Sequence, residues 1–388
     1  EYSSFRMGSN LHRNVVFRNS AALRRPASYI DVHREWDLWR ILQEQCIDTD
    51  TGCDVLAIPH NSNISNGRMF AVDYPGAGSA EKQAARALLR QRIEPLVEIM
   101  QHKGDSECRN GLDGVLGGVD ELCDFEKFEN QAFRQTVGED KAVGQCYAGP
   151  LADWVPHLGP NCLDRKSYAR YALVEGLREQ QRIGVNPFRF GLSASTDTHN
   201  GLGGGVQEAD FPGHLGNGDS TAEQRVQFDS DIPGNASNNP GGLIGVWAQE
   251  NSRDSIFDAM QRREVFGTSG PRIQPRFFGG WELDASLCEQ GDMIARAYDQ
   301  GVPMGAELPP PGTDRGGAPA FLVAASADSG TVRFPGLPLQ RLQVIKGWAD
   351  SEGNHHQRVF DVAGDPDNGA GVDPRSCAPT GEGFAQLC

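Results

Sequence analysis

The sequence predicts an α/β protein with long loop insertions and a smaller β-rich domain at its C-terminal end. Three observations carry that prediction. Apolar runs at 54–59, 95–100 and 190–194 each end in a polar loop. Helical patterns stand between them, and such alternation marks a parallel α/β sheet or barrel. From about Gln274 the style changes: apolar runs at 320–325, 342–348 and 358–362 follow one another through Gly, Pro and Asp turns without intervening helices. That pattern predicts a β-sandwich-like unit, so the domains are expected over 1–274 and 275–388.

Taken in order, Leu11 to Phe17 reads as a short strand with His12 at its start. Residues 34–45 carry Trp36, Leu38, Trp39 and Leu42 on one helical face. The next strand, 54–59, hands His60 to a polar loop, and Pro59 stands where a ladder must end. Ser79 is the expected N-cap of a helix reaching Arg92. A third strand at 95–100 contains Glu98 and exits through His102, Lys103 and Gly104. The stretch 108–162 is irregular and acidic, as an inserted lid or loop would be. Residues 167–184 are helical and end at Gly184, and the strand after them stops on Asp197-Thr198-His199. A Gly-rich excursion over 203–242 follows, of the length that covers a functional site or stays disordered. A strand near 245–248, a helix capped by Ser252 and a strand running from Val265 to Arg272 complete the first domain.

A chain of 388 residues with 38% hydrophobic content can build a real core. No apolar run approaches the roughly 20 residues needed to span a bilayer. A net charge of −16 argues against nucleic acid and anionic membrane as partners, since both require a basic footprint. An anionic substrate stays compatible if metal ions supply the positive charge. The nine cysteines fall mostly in short-range company: Cys46 with Cys53, Cys108 with Cys123, Cys146 with Cys162 and Cys377 with Cys388, which leaves Cys288. Local disulfides and an exported protein, periplasmic or extracellular, are the expectation. The chain opens on Glu1 and closes on Cys388 in mid-pattern, as a fragment or a processed chain would.

Asp197 and His199 sit at the carboxyl end of a strand, the edge where α/β folds bind ligands. Carboxylate oxygen and imidazole nitrogen are donors that divalent transition metals prefer. His60 repeats the strand-then-His arrangement. Glu1, Leu11-His12-Arg13-Asn14, Ile58-Pro59-His60-Asn61, Val97-Glu98-Ile99 and the run from Ser195 to Gly201 occur in an order that resembles the later metal motifs of the PHP (polymerase and histidinol phosphatase) superfamily. The likeness is to its large, often exported branch, and it extends through 267–272 and 342–348. The resemblance implies a distorted β/α barrel with two or three divalent metal ions (Zn, Mn or Fe) at its carboxyl-end face. It implies Glu1 as a bridging carboxylate, His12 and His60 as ligands, and Asp197 and His199 as closing ligands with a catalytic role. Glu98 would line the site without ligating. The first His-x-His motif and the second His-bearing motif of that superfamily have no counterpart here. They are expected on an absent N-terminal segment, or else the metal site of this chain is incomplete.

Arg13, His102 and Arg272 are the candidate substrate-binding groups, with a surface carboxylate the competing partner for Arg272. The leading expectation is a metal-dependent hydrolase, a phosphoesterase acting on a small anionic phosphate ester through metal-activated water. The same ions serve hydrolysis of an amide, a lactone or a carboxylic ester. A different class is a secreted protein that binds calcium in acidic loops, or glycan, without catalysis; the EF-hand spacing is missing. No nucleophile elbow, phosphate loop or dinucleotide fingerprint is present.

Overall fold

The computed structural model describes residues 1–3, 5–6, 9–127, 164–207, 211–226, 239–312, 317–373, 375–376 and 378–388. Strands β1 (Arg13–Phe17), β2 (Val55–Pro59), β3 (Leu96–Gln101), β4 (Val115–Gly117), β5 (Gly191–Ala194), β6 (Leu243–Val246) and β7 (Val265–Thr268) make up the N-terminal portion. With them come helices α1 (Glu35–Leu42), α2 (Ala80–Ile93), α3 (Ala169–Ile183) and α4 (Arg253–Gln261). The fold is mixed α/β, as expected. The caps act where the residues predict them: the Ser79 and Ser252 side chains accept from the Lys82 and Ser255 N–H groups, and α3 ends on Gly184 at φ 78°.

Strand direction is where expectation and structure part. β3 and β5 are parallel, with Leu96 opposite Gly191. β1 and β2 are instead antiparallel, from Arg13 opposite Pro59 to Phe17 opposite Val55. The excursion between them returns to the end it left from. Arg18 N–H donates to Asp54 O at 2.9 Å, the Asn19 amide donates to Gly52 O at 3.1 Å, and a Cys46–Cys53 disulfide closes the neck. β6 and β7 are also antiparallel, and β7 lies so close to β5 that a Cβ at Gly267 would sit 2.8 Å from Ser193 C. Among the described residues these ladders do not close into a barrel.

The core under β1 and β2 gathers Trp39, Leu42, Val55, Ala57 and Ile93 around Tyr2, and a second cluster joins Met69, Phe70, Val97, Phe188 and Phe190. Each such side chain contributes about 1.5–3 kcal/mol on burial. The first cluster also encloses charge. Glu94, fully buried, accepts from Arg13 Nε at 2.8 Å, Trp39 Nε1 at 2.9 Å and Arg90 Nε at 3.0 Å.

Beyond 274 lie β8 (Gln274–Gly280), α5 (Met293–Gln300), β9 (Ala320–Ser326), β10 (Arg341–Ala349) and β11 (His355–Gly364). β8 and β9 form an antiparallel sheet edged by Val302–Pro303 and Gln386–Leu387. The β10–β11 hairpin takes β4 as a parallel third strand, so one C-terminal sheet is completed by residues 115–117. Cys46–Cys53 and Cys108–Cys123 are disulfides as expected. Cys388 corrects the pairing expected with Cys377: its partner is Cys288, because Gln386–Leu387 pairs with Ala325 and Ser326 and carries the last residue there. Cys377 and the Cys146–Cys162 pair lie outside the described residues. No described helix is long and apolar enough to cross a membrane.

Candidate metal centre

The antiparallel pairing of β1 with β2 places the residue before β1 beside the residue after β2. His60 N–H donates to His12 O at 3.2 Å, and the two imidazoles meet edge to face with centroids 5.5 Å apart. Tyr2 and Arg13 exchange backbone hydrogen bonds of 2.8 and 3.0 Å, which brings Glu1 alongside. Glu1 Oε1 lies 2.9 Å from His12 Nδ1 and 3.4 Å from His60 Nε2. At 3.4 Å it is an electrostatic neighbour of His60, both of whose ring nitrogens are buried without a hydrogen-bond partner. The neighbouring imidazole of His12, and after it that of His60, holds the Glu1 carboxyl far below the usual range. Burial opposes a charged His60, yet Glu1, Glu98 and Asp197 together raise its pKa.

The second group forms where β5 runs out. Ser195 N–H still donates to Met100 O, and His102 N–H donates to Thr196 O, so the two loops leave the sheet zipped together. Asp197 then turns into the left-handed region at φ 50°, as Asn61 does at φ 61° beside His60. Non-glycine residues held there cluster at functional sites. Asp197 Oδ2 accepts from Gln101 Nε2 at 3.1 Å and from Lys103 Nζ at 2.5 Å, with His102 Nε2 at 3.5 Å. His199 Nε2 approaches Oδ1 at 3.9 Å from a side chain 56% exposed. Burial would raise the Asp197 pKa, but His102 and Lys103 hold it well below the usual carboxylate range. Burial pushes His102 down to about 4, so its ring is neutral at pH 7, with Nδ1 unpartnered. His214 packs on that ring at 4.1 Å, gives its backbone carbonyl to His199 N–H, and keeps its own Nδ1 without a partner.

Ligand atoms of Glu1, His12 and His60 lie within 4.8 Å of one another, and so do those of His102, Asp197 and His199. The two groups are neighbours. Gln101 Nε2 contacts both Asn61 and Asp197, and Glu98 on β3 influences His60. Glu98 is 3% exposed, accepts from Ser195 Oγ, and leaves Oε1 unpartnered; burial pushes its carboxyl up to about 7. Buried imidazole nitrogens and a carboxyl oxygen with no partner are costly unless something binds them. Nitrogen and oxygen donors of this kind fit divalent transition ions.

The expected ligands Glu1, His12, His60, Asp197 and His199 are therefore all at this edge, in two adjoining groups. His102, expected to meet substrate, sits inside the second group. Arg13 is corrected: its guanidinium points into the core, is held by Glu94 and Leu11 O, and is 1% exposed, so burial closes it off from substrate. Arg272 is exposed and stands beside Asp328, whose carboxylate accepts its backbone N–H at 2.7 Å. The contact is through the backbone and does not itself pair the guanidinium. Lys103 and His214 escaped the sequence reading, although Lys103 adjoins His102 and a His next to Gly213 in a polar loop was a visible signal. Cys108, Asp120 and Cys123 also lie close, but the cysteines are a disulfide and Asp120 binds Arg170 at 2.7 Å.

Two adjoining groups of His and carboxylate side chains at a strand edge could each hold a metal ion. The chain belongs to the family described as Protein of unknown function (DUF3604), whose model matches residues 1–383. No curated protein and no solved structure matches it.

Proposed function

We propose that the protein is a metal-dependent hydrolase, with phosphate esters the favoured substrates, built on a PHP-like distorted β/α barrel. The observation that carries this reading is the pair of His and carboxylate groups, in which both His60 ring nitrogens and His102 Nδ1 are buried without a partner. The ordered resemblance to PHP metal motifs supports it. Glu1, His12 and His60 would hold one ion, and His102, Asp197 and His199 a second; Zn, Mn or Fe suits these donors. Bound metal would supply Lewis acidity and a water whose pKa is drawn toward about 7. The chain's own residues do the rest. Gln101 orients Asp197, Glu98 keeps an exchangeable proton near His60 at neutral pH, and His199 is the exposed member of the second group. The three disulfides among the described residues accord with export.

The test replaces Asp197 or His199 by Ala and follows bound metal, thermal unfolding and turnover on phosphomonoesters, phosphodiesters, carboxylic esters, lactones and amides. Metal affinity should fall about 10–100-fold or more and turnover should be lost, while the fold survives, because apolar strand residues and not the ligands hold the sheet. Wild-type turnover in the variants would place the site elsewhere. Outright unfolding would make the metal structural. Turnover of a lactone or amide, but of no phosphoester, would move the substrate class to the carboxylic derivatives.

A further inference from the structure

Lys103 stands where a cation belongs. Its Nζ lies 2.5 Å from Asp197 Oδ2 and 2.9 Å from His102 Nε2, on the two side chains grouped with His199. The backbone beneath it is fixed: Lys103 N–H donates to Gln101 Oε1 at 2.8 Å, its carbonyl accepts from Asn63 Nδ2 at 3.0 Å, and Gly104 turns at φ 86°. The ammonium is thus delivered to the site from a rigid loop, on a side chain 11% exposed. A divalent ion and an ammonium cannot share one carboxylate oxygen, because like charges a few ångström apart repel strongly inside a protein.

We propose that Lys103 is the substrate-anion anchor of this centre, its ammonium resting on Asp197 and His102 until a divalent ion displaces it toward the incoming phosphoryl oxygens. The proposal rests on the metal-hydrolase reading and adds the residue that recognises the substrate's charge. Positive charge is scarce here. The chain carries −16, Arg13 is bound to Glu94, and Arg272 stands beside Asp328. A compact ammonium with three donors on a flexible stem suits a tetrahedral oxyanion.

The experiment uses Lys103→Met and Lys103→Arg, with Mn²⁺ alone and then inorganic phosphate on the Mn-loaded protein, both followed by calorimetry. Methionine should tighten Mn²⁺ binding at the second site and weaken phosphate binding, each by about tenfold, the order of one charge-assisted contact. Arginine should recover part of the phosphate affinity. In turnover assays KM should move more than kcat. If methionine leaves the protein unfolded, Lys103→Gln, which keeps polar contacts without the charge, is read the same way. Unchanged phosphate affinity, or unchanged or weaker Mn²⁺ binding, overturns the role of Lys103 alone. A wild-type protein that binds no Mn²⁺, Zn²⁺ or Fe²⁺ overturns the metal-hydrolase reading and this proposal with it.

Discussion

Replacing Glu98 by Gln should remove a pH dependence that burial writes into the stability of the metal-free protein. Glu98 is 3% exposed, and its carboxyl is pushed from 4.5 to about 7, first by desolvation and then by Asp197, against the pull of His60, Ser195 and Lys103. Below about pH 4.5 the group is neutral in both folded and unfolded chains and contributes no difference. As pH rises toward 7 the unfolded chain ionises freely while the folded one holds its proton, so stability falls. At about 1.4 kcal/mol per pH unit, the loss accumulates to about 3 kcal/mol and then levels off. Glutamine mimics the neutral acid. Urea unfolding in EDTA should therefore find the two proteins alike near pH 4.5 and Glu98→Gln more stable by about 3 kcal/mol near pH 8. Parallel pH profiles would refute the reasoning, since they would mean that Glu98 ionises in the folded chain as readily as in water.

Two further outcomes test the frame around the site. Glu94→Gln leaves the guanidiniums of Arg13 and Arg90 without their shared buried counter-charge, and should cost about 3–5 kcal/mol in denaturant unfolding; a loss below about 1 kcal/mol would show the network to be hydrated. Cys288→Ser opens a link across 100 residues, and should lower stability by up to about 4–5 kcal/mol under oxidising conditions with no effect once the wild type is reduced; peptide mapping that pairs Cys388 with another cysteine would contradict the C-terminal register.

Much of the candidate site was legible because apolar runs that stop on His or Asp say where a strand ends, and strand ends are where ligands gather. Periodicity reports burial, however, and is silent on the direction of the neighbouring strand. Parallel pairing would have put His12, which precedes β1, at the opposite edge from His60, which follows β2; the antiparallel ladder, with Arg13 opposite Pro59, joins them. The same ladder explains the misplaced arginine. Successive strand residues face opposite sides, so Arg13 turns away from the site that adjacent His12 enters and meets Glu94 in the core. His102, Lys103 and His214 were hidden for another reason. They stand on loops without period, and their meeting depends on β3 lying parallel to β5 and on Asn239 N–H reaching His102 O at 3.1 Å, which places the carbonyl of Asn239 2.7 Å from His214 Nε2. A loop residue's role is set by what its two anchors approach. The sequence shows the anchors, and only tertiary packing shows the approach.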